Sequence, residues 1–360
     1  MSFRWTDTLT EPLASQLRSQ DWNRVEEARK GGWLLLSQEG VGDVSWVHLD
    51  QSGETRQVIS PFRDERLPQL PELTSEWLRL GLQIQMLAYR VGSRAIFRIE
   101  APEGPRIHKI YRKDRSLLQR WTTLPSDATA SWSVPCVLNW DDRRHHLTLE
   151  YRQGESLNQR WLRGEGEPAD GDRVADLLAW IGSHTPKNPL PLHTPQDEIR
   201  ILEERLQVFQ RMLKNPSSRA PELTTRVAAV LADAPATTLG ICHRDFHDKQ
   251  VLISGDRGTL LDLDLAAQGP PALDVGNILA HLRLRSLKGA EIPWQEIAAR
   301  IATPALSSGL ADSLYRWTAA TLMRLVLIYS RRRRGPDLLD ELLSSTNQAL
   351  ERRGEWEGLL

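Results

Sequence analysis

The chain is poor in several features that would announce a function. Its 360 residues include only two cysteines, Cys136 and Cys242, far apart and without CxxC spacing. That argues against a disulfide scaffold and a structural zinc site, and it fits a reducing cytoplasm. Charged residues interrupt every apolar run well short of the ~20 residues that span a bilayer. The N-terminal MSFRWTDTLTEPLASQ lacks the apolar core of a secretory leader. Neither sign of charge dominates, with 46 Lys plus Arg against 47 Asp plus Glu. No overall field therefore exists to gather nucleic acid or an anionic membrane, and neither is expected as a partner. Internal repeats and low-complexity tracts are absent too. What is present is ordinary for a globular enzyme: 40% hydrophobic and 26% charged residues. The length suits two or three domains, or one large two-lobed domain.

Three blocks follow one another. Residues 1–75 read as an N-terminal extension. It has a helix from Glu11 to Lys30 ending at Gly31-Gly32, and two short strands at Trp33–Ser37 and Val44–Leu49. A Pro-rich connector over residues 60–73 leads to a helix at Ser75–Leu82. Residues 76–151 are strand-rich (IQMLAYR, RAIFRIEA, RIHKIYR, PCVLNW, HHLTLEYR), with one helix expected from Asp114 to Leu124. This is an α+β pattern dominated by an antiparallel sheet. Residues 152–360 are mainly helical, with helices expected at Gly171–His184, Thr194–Lys214, Pro221–Ala232, Pro293–Thr303, Ser307–Arg332 and Pro336–Arg352. In their midst lies GICHRDFHDKQVLISGDRGTLLDLDLA, where QVLIS and TLLDLD flank a turn at Gly255–Gly258 and predict a hairpin.

That stretch concentrates groups able to do chemistry: His243, Asp245, His247, Asp248, Gln250, Asp262 and Asp264, with Asp274 further on. Phosphoryl transfer needs a carboxylate that orients an attacking hydroxyl and accepts its proton. It also needs an amide oxygen and a second carboxylate to hold the metal that bridges nucleotide phosphates. The loop brings Asp245 near Gln250, and the hairpin returns Asp262 beside both.

In this arrangement His243-x-Asp245-x-x-x-x-Gln250 resembles the HxDxxxxN catalytic loop of the aminoglycoside phosphotransferase and choline kinase superfamily, relatives of the protein kinases. Asp262, 17 residues after Asp245, resembles that family's metal-binding Asp. Asp274, 12 further on, resembles the structural Asp of its "GDPxxDLA" segment. Glu150-Tyr151-Arg152-Gln-Gly154-Glu-Ser-Leu157 is similar to its interlobe hinge. Lys109 resembles the strand lysine that pairs with phosphates, and Tyr89–Ala95 the nucleotide-covering loop. Three departures stand out. Gln250 replaces the usual Asn, as in sugar kinases resembling maltokinase. The helix after Lys109 offers no Glu to pair with it, leaving Asp114 or Gln119 as stand-ins. The covering loop carries a single Gly.

The resemblance implies a two-lobed protein-kinase-like fold, with a small strand-rich N-lobe and a larger helical C-lobe behind the extension. It implies an ATP-dependent small-molecule kinase using Mg²⁺ and transferring the γ-phosphoryl group to a hydroxyl of a sugar-like or antibiotic-like acceptor. Asp245 would then be catalytic, and Gln250 and Asp262 would hold metal. Lys109, Gly92 and Ser93 would meet phosphates, and Glu150, Tyr151 and Arg152 the adenine. His243 and Asp274 would support the loop. His247 is either loop scaffold or acceptor contact. Asp264 is either a second metal ligand or, as preferred here, a solvated strand-end charge.

Two other classes remain open. His243-x-Asp245-x-His247-Asp248 approaches the ligand spacing of a two-metal hydrolase, although the remaining histidines form no matching pattern. A catalytically weak, pseudokinase-like binding protein would also fit the departures. A protein kinase fits less well, because Asp262 is followed by Leu-Asp rather than Phe-Gly. Arg331–Arg334 reads as a solvated helix end. The helical lobe is not rich in acid, which favours a neutral, hydroxyl-rich acceptor over a polycationic one; Asp197, Glu198, Glu203 and Glu204 are the one run that could line an acidic wall.

Overall fold

The computed structural model describes residues 64–113, 124–212, 219–331 and 336–360, together with the backbone of four earlier strands. Those strands, β1 (Arg24–Glu27), β2 (Trp33–Glu39), β3 (Asp43–Leu49) and β4 (Thr55–Ile59), form an antiparallel meander in chain order. β2 and β3 are the two expected strands. β1 corrects the helix expected over Glu11–Lys30. Its four residues pair with β2 from Arg24↔Leu36 to Glu27↔Trp33, and this ladder overrides a helical pattern too short to be decisive. The remainder of that expected helix lies outside the described residues.

The Pro-rich stretch is also more ordered than expected. Helix α1 (Gln69–Arg79) begins inside it, so the helix placed at Ser75–Leu82 starts a turn and a half earlier. Pro68 caps the helix and Pro71 sits in its first turn, where backbone N–H groups have no intrahelical partner and proline costs little. Gly81, at φ 71°, ends α1 by donating to Leu78 O while Leu82 N–H donates to Trp77 O.

The N-lobe sheet contains β5 (Gln83–Arg90), β6 (Arg94–Ala101), β7 (Gly104–Tyr111), β9 (Val137–Asp141) and β10 (His146–Glu150), in the order β5-β6-β7-β10-β9. The short β8 (Trp132–Ser133) leaves this sheet and pairs with the C-lobe hairpin. Alternation along β6 sends Ala95, Phe97 and Ile99 inward. There they meet Leu67, Leu70, Leu73 and Trp77, so one core runs continuously across residue 75. The helix expected at Asp114–Leu124 falls, but for its last residue, outside the described residues.

The C-lobe begins with β11 (Glu155–Ser156) and continues through α2 (Leu157–Leu162), α3 (Pro168–Gly182), α4 (Pro195–Met212) and α5 (Arg219–Ala232). Then come β12 (Gly240–Cys242), the hairpin β13 (Val251–Ser254) and β14 (Arg257–Leu260), and β15 (Ala267–Gly269). Four helices close the chain: α6 (Ala272–Leu287), α7 (Trp294–Ser307), α8 (Ala311–Tyr329) and α9 (Pro336–Leu350). The expected hairpin is present, and two small sheets, β11-β13-β14-β8 and β12-β15, carry the loops between the lobes. α7 passes through Pro304 to Ser307 rather than stopping at Thr303, with loss of one intrahelical bond. Neither α2 nor α6 was expected. α6 is buried on most sides, so it shows no polar-apolar period to read. It approaches α8 closely at Gly276, where a Cβ would come within 2.7 Å of the Thr318 nitrogen. Of the 13 tryptophans, Trp161, Trp317 and Trp356 are fully buried, and the Trp161 indole donates to Asp170. Among the described residues no helix is long and apolar enough to cross a membrane.

Candidate active site

β12, paired with β15, ends at Cys242 and delivers His243 into the loop between the lobes. The backbone N–H groups of His243 and Arg244 both donate to the buried Asp274 carboxylate, at 2.6 and 2.9 Å, from the first turn of α6. Burial pushes the Asp274 carboxyl pKa up, and these two donors and the nearby cations oppose the shift. Arg244 occupies the left-handed region at φ 67°, which costs about 1 kcal/mol or more for a non-glycine residue. Asn277, one turn along α6, holds that conformation by donating to the Arg244 carbonyl at 3.0 Å. Sequence reading did not single out Asn277.

The His243 ring bridges its own loop and the end of the β13–β14 hairpin. Its Nε2–H donates to the Leu261 carbonyl at 2.7 Å, and its Nδ1 accepts from Asp245 N–H at 3.3 Å. Both ring nitrogens therefore face backbone, in the neutral Nε2–H tautomer. The Asp245 side chain stays about half exposed, with His247 Nε2 at 3.9 Å. Asp248 is wholly buried: Arg285 grips it through Nε at 2.5 Å and Nη2 at 3.1 Å, and Asn158 donates at 2.7 Å. Burial opposes ionisation there, but hydrogen bonds from His247 and Arg285 prevail and hold the carboxyl well below its usual range. His247 stacks on His281 with ring centroids 4.6 Å apart. The hydrolase-like cluster is thus not assembled as a metal site. His243 is committed to backbone and Asp248 to Arg285 and Asn158. The alternative trio of His247, Asp248 and His281 faces the same guanidinium.

A 3₁₀ turn over Asp248–Gln250 leads into β13, and the Gln250 carbonyl accepts from Leu261 N–H at 2.8 Å. The hairpin thereby sets Asp262 opposite the loop. Asp262 is itself left-handed, at φ 57°. Lys109 Nζ reaches it from β7, 2.7 Å from Oδ1, and also lies 3.0 Å from Asp264 Oδ1. Tyr111 donates to Asp264 at 2.9 Å, and Arg94 Nη1 lies 3.1 Å from its Oδ2. Lys109 and Tyr111 share one face of β7 by the two-residue period, and Arg94 pairs with Tyr111 in the β6–β7 register. Asp264 is only 3% exposed, which corrects the solvated reading. It also stands beside the lysine where the sequence offered no Glu. Burial disfavours the Lys109 ammonium, but Asp262 and Asp264 more than compensate, so its pKa is raised. Burial likewise opposes the Asp262 carboxylate, yet Lys109 and Arg94 hold its pKa well below the usual range.

The loop between β5 and β6 is anchored from beneath. Gly92, at φ 60°, donates its N–H to the buried Asp64 at 2.5 Å, and Tyr89 donates to the same oxygen at 2.8 Å. A Cβ on Gly92 would come within 2.7 Å of the Arg66 side chain. Asp64 lies in the segment read as a connector, and nothing local marked it. Ser93 is tied to the end of β7 by Arg112 N–H, which donates to its carbonyl at 2.9 Å.

A cleft of about 560 Å³ opens between the lobes and is lined by Gly92, Ser93, Asp245, Asp262 and Asp264. Lys109 meets it through its two carboxylates. Gln250 and the segment Glu150–Arg152 are not among its lining residues. In that segment Arg152 lies 3.0 Å from Glu150, Glu150 N–H donates to Cys136 O at 2.9 Å, and Arg98 stacks on the Tyr151 ring at 4.5 Å. The whole set gives one carboxylate open to solvent facing two carboxylates held by two cations, Lys109 and Arg94, across a cleft of nucleotide dimensions.

A model described as "phosphotransferase enzyme family" matches residues 88–306, more than half of the chain. No curated protein matches the sequence. Among solved structures, an aminoglycoside phosphotransferase APH(4)-Ia mutant, in ternary complex with ADP and hygromycin B, is similar at 13% identity and TM-score 0.56, covering 77% of this chain and 97% of its own. A choline/ethanolamine kinase family protein from Mesorhizobium loti is similar at 16% identity and TM-score 0.52, covering 77% of this chain and 90% of its own. The amicoumacin kinase hAmiN, in complex with AMP-PNP, Ca²⁺ and Ami, is similar at 12% identity and TM-score 0.56, covering 81% and 96%. At these identities the likeness is one of fold.

Proposed function

Because the chain belongs to the phosphotransferase enzyme family, we propose that it is an ATP-dependent kinase transferring the γ-phosphoryl group to a hydroxyl of a small molecule. The observation that carries this reading is the Lys109–Asp262 pair at 2.7 Å facing the half-exposed Asp245 across one cleft. Asp245 accepts the proton of the attacking hydroxyl and aims its oxygen. It is suited to this because solvent reaches it, while His243 Nδ1 holds its N–H and Asp274 holds the two residues before it. Lys109 and Arg94 supply positive charge where the phosphoryl oxygens gather it. Gly92 and Ser93 cover the phosphates, and the backbone of Glu150–Arg152 is assigned to the base.

The donor chemistry suits Mg²⁺: Asp262 offers carboxylate oxygen and Gln250 an amide oxygen, both hard ligands. Bound there, the ion would neutralise phosphate charge. ATP as co-substrate is supported by the ADP and AMP-PNP complexes of the similar proteins. The test is a Mg·ATP turnover screen of hydroxylated small molecules against a D245N background. Acceptor-dependent ADP release well above that background is expected. A background-level rate with every acceptor would favour the binding-protein reading.

A further inference from the structure

The helical wall of the cleft carries more positive charge than its own residues neutralise. Arg205 on α4, Arg244 beside Asp245, and Arg324 on α8 all line the same cavity as Asp245. The carboxylate among them is Glu198, which is buried and already engaged on both oxygens. Arg324 Nη1 donates to Oε1 at 2.9 Å, and His193 Nε2 lies 3.3 Å from Oε2. The second arm of Arg324 is spent on Asn277 Oδ1 at 2.6 Å. Among the described residues the Arg244 side chain reaches only the Leu265 carbonyl, at 3.5 Å, and its Nε is buried without an acceptor. Arg205 has no hydrogen bond or ion pair among the described residues, and its Nε is likewise buried and unmatched.

Burying a guanidinium without an acceptor is costly, so such donors are kept where something else completes them. Burial, reinforced by Arg324 and Arg331, pulls the Arg205 pKa down to about 10, the mark of a cation lacking a counter-charge. The acidic run that could have formed an opposing wall does not. Asp197 is turned back to cap α4, accepting from the Thr194 backbone and hydroxyl, and Glu203 and Glu204 are exposed. The strand lobe holds its own cations, Lys109 and Arg94, at Asp262 and Asp264.

Resting on the phosphotransferase reading above, we infer that the acceptor is an anion: a hydroxylated carboxylate or phosphate ester whose charged group is gripped by Arg205 and Arg244, with Arg324 adding positive charge beside them, while its hydroxyl meets Asp245. The planar fork of arginine matches both groups with paired N–H donors. This shifts the expected acceptor from a neutral sugar to an acidic one, and away from polycations.

Matched acceptors test the assignment: glucose, gluconate, glucose 6-phosphate and kanamycin, each assayed for Mg·ATP turnover and for direct binding by calorimetry. The expected result is that gluconate or glucose 6-phosphate exceeds glucose by at least ~10-fold in kcat/KM and in affinity, the scale of one charge-assisted hydrogen-bond pair. Whichever of the two wins identifies carboxylate or phosphate as the anion. Arg205→Ala should raise the KM and Kd for that acceptor by ~10-fold or more, and Arg205→Lys should restore part of the loss. Anion binding that depends on Arg205 but occurs without transfer would uphold the anion site while overturning the kinase reading. Efficient turnover of glucose or kanamycin with no advantage for the anions would do the reverse. A Kd change in Arg205→Ala for ATP rather than for the anion would assign the cluster to nucleotide and overturn the inference.

Discussion

Lys109 and Asp264, 155 positions apart in sequence, meet across the two lobes at 3.0 Å. The lysine that would face phosphates is held not by a helix glutamate but by a carboxylate two residues beyond Asp262, which Tyr111 and Arg94 share.

Asp264→Asn should therefore impair nucleotide use without touching Asp245. Losing one of the two charges that hold Lys109 frees the ammonium to pair with Asp262 alone and leaves Arg94 under-compensated. We expect a KM for ATP raised by ~10-fold and a lower melting temperature. Lys109→Ala should give a similar rise. Unchanged ATP kinetics in both variants would remove the pair from the site.

Asp245→Asn should lose transfer while still binding nucleotide. A positioned base contributes about 10²–10⁴ in rate. Turnover near the wild-type level, with ATP binding intact by calorimetry, would send the search for the base to another residue.

Gln250→Ala and Asp262→Ala should each raise the Mg²⁺ concentration needed for half-maximal activity, whereas Gln250→Asn should remain active. The shorter amide keeps the oxygen donor. If the Asn and Ala variants were equally inactive, side-chain length at 250 would matter more than the donor.

A stability effect should appear in the N-lobe. His108 and His146 are buried, stack at 5.0 Å and share a hydrogen bond of 2.8 Å. Burial, with His146 and Arg106 adding to it, pulls the His108 pKa down to about 3, and burial pulls His146 down to about 4. The unfolded chain, with histidine near 6.5, binds these protons first. Stability is then fully present above pH 6.5 and is lost as pH falls toward 4. Between pH 7 and 4.5 the wild type should lose ~1–3 kcal/mol more than the double variant His108→Gln/His146→Gln. Urea unfolding at the two pH values reads this, and parallel losses would rule it out.

Much of the site could be read in advance because its signals are local. Asp245, Gln250, Asp262 and Asp274 lie within 30 residues; a single hairpin returns Asp262 toward the loop, and Asp274 follows in the first turn of α6. The alternation in β6 and the turn at Gly255 needed no distant partner to be recognised. The misreadings fell where a short pattern was ambiguous. β1 became a strand only because β2 was there to pair with it. Proline at 68 and 71 looked like a break but suits a first helical turn.

By itself the sequence determined the order of the motifs, the α+β class and a few of the residues lining the cleft, among them Gly92, Ser93, Asp245 and Asp262. The class follows from short-range periodicity, which any chain segment carries within itself, and the motifs and cleft residues from the resemblance of short segments to the phosphotransferase family. The tertiary structure decided which charges cancel. It brought Asp64 under Gly92, set Asp264 against Lys109, and left Arg205 without a partner among the described residues. Each of those outcomes depends on which carboxylate, if any, arrives beside a given cation once the chain has closed. Residue types alone carry no record of that, because the strength and even the sign of a buried charge's contribution depend on distance and desolvation, which exist only after packing.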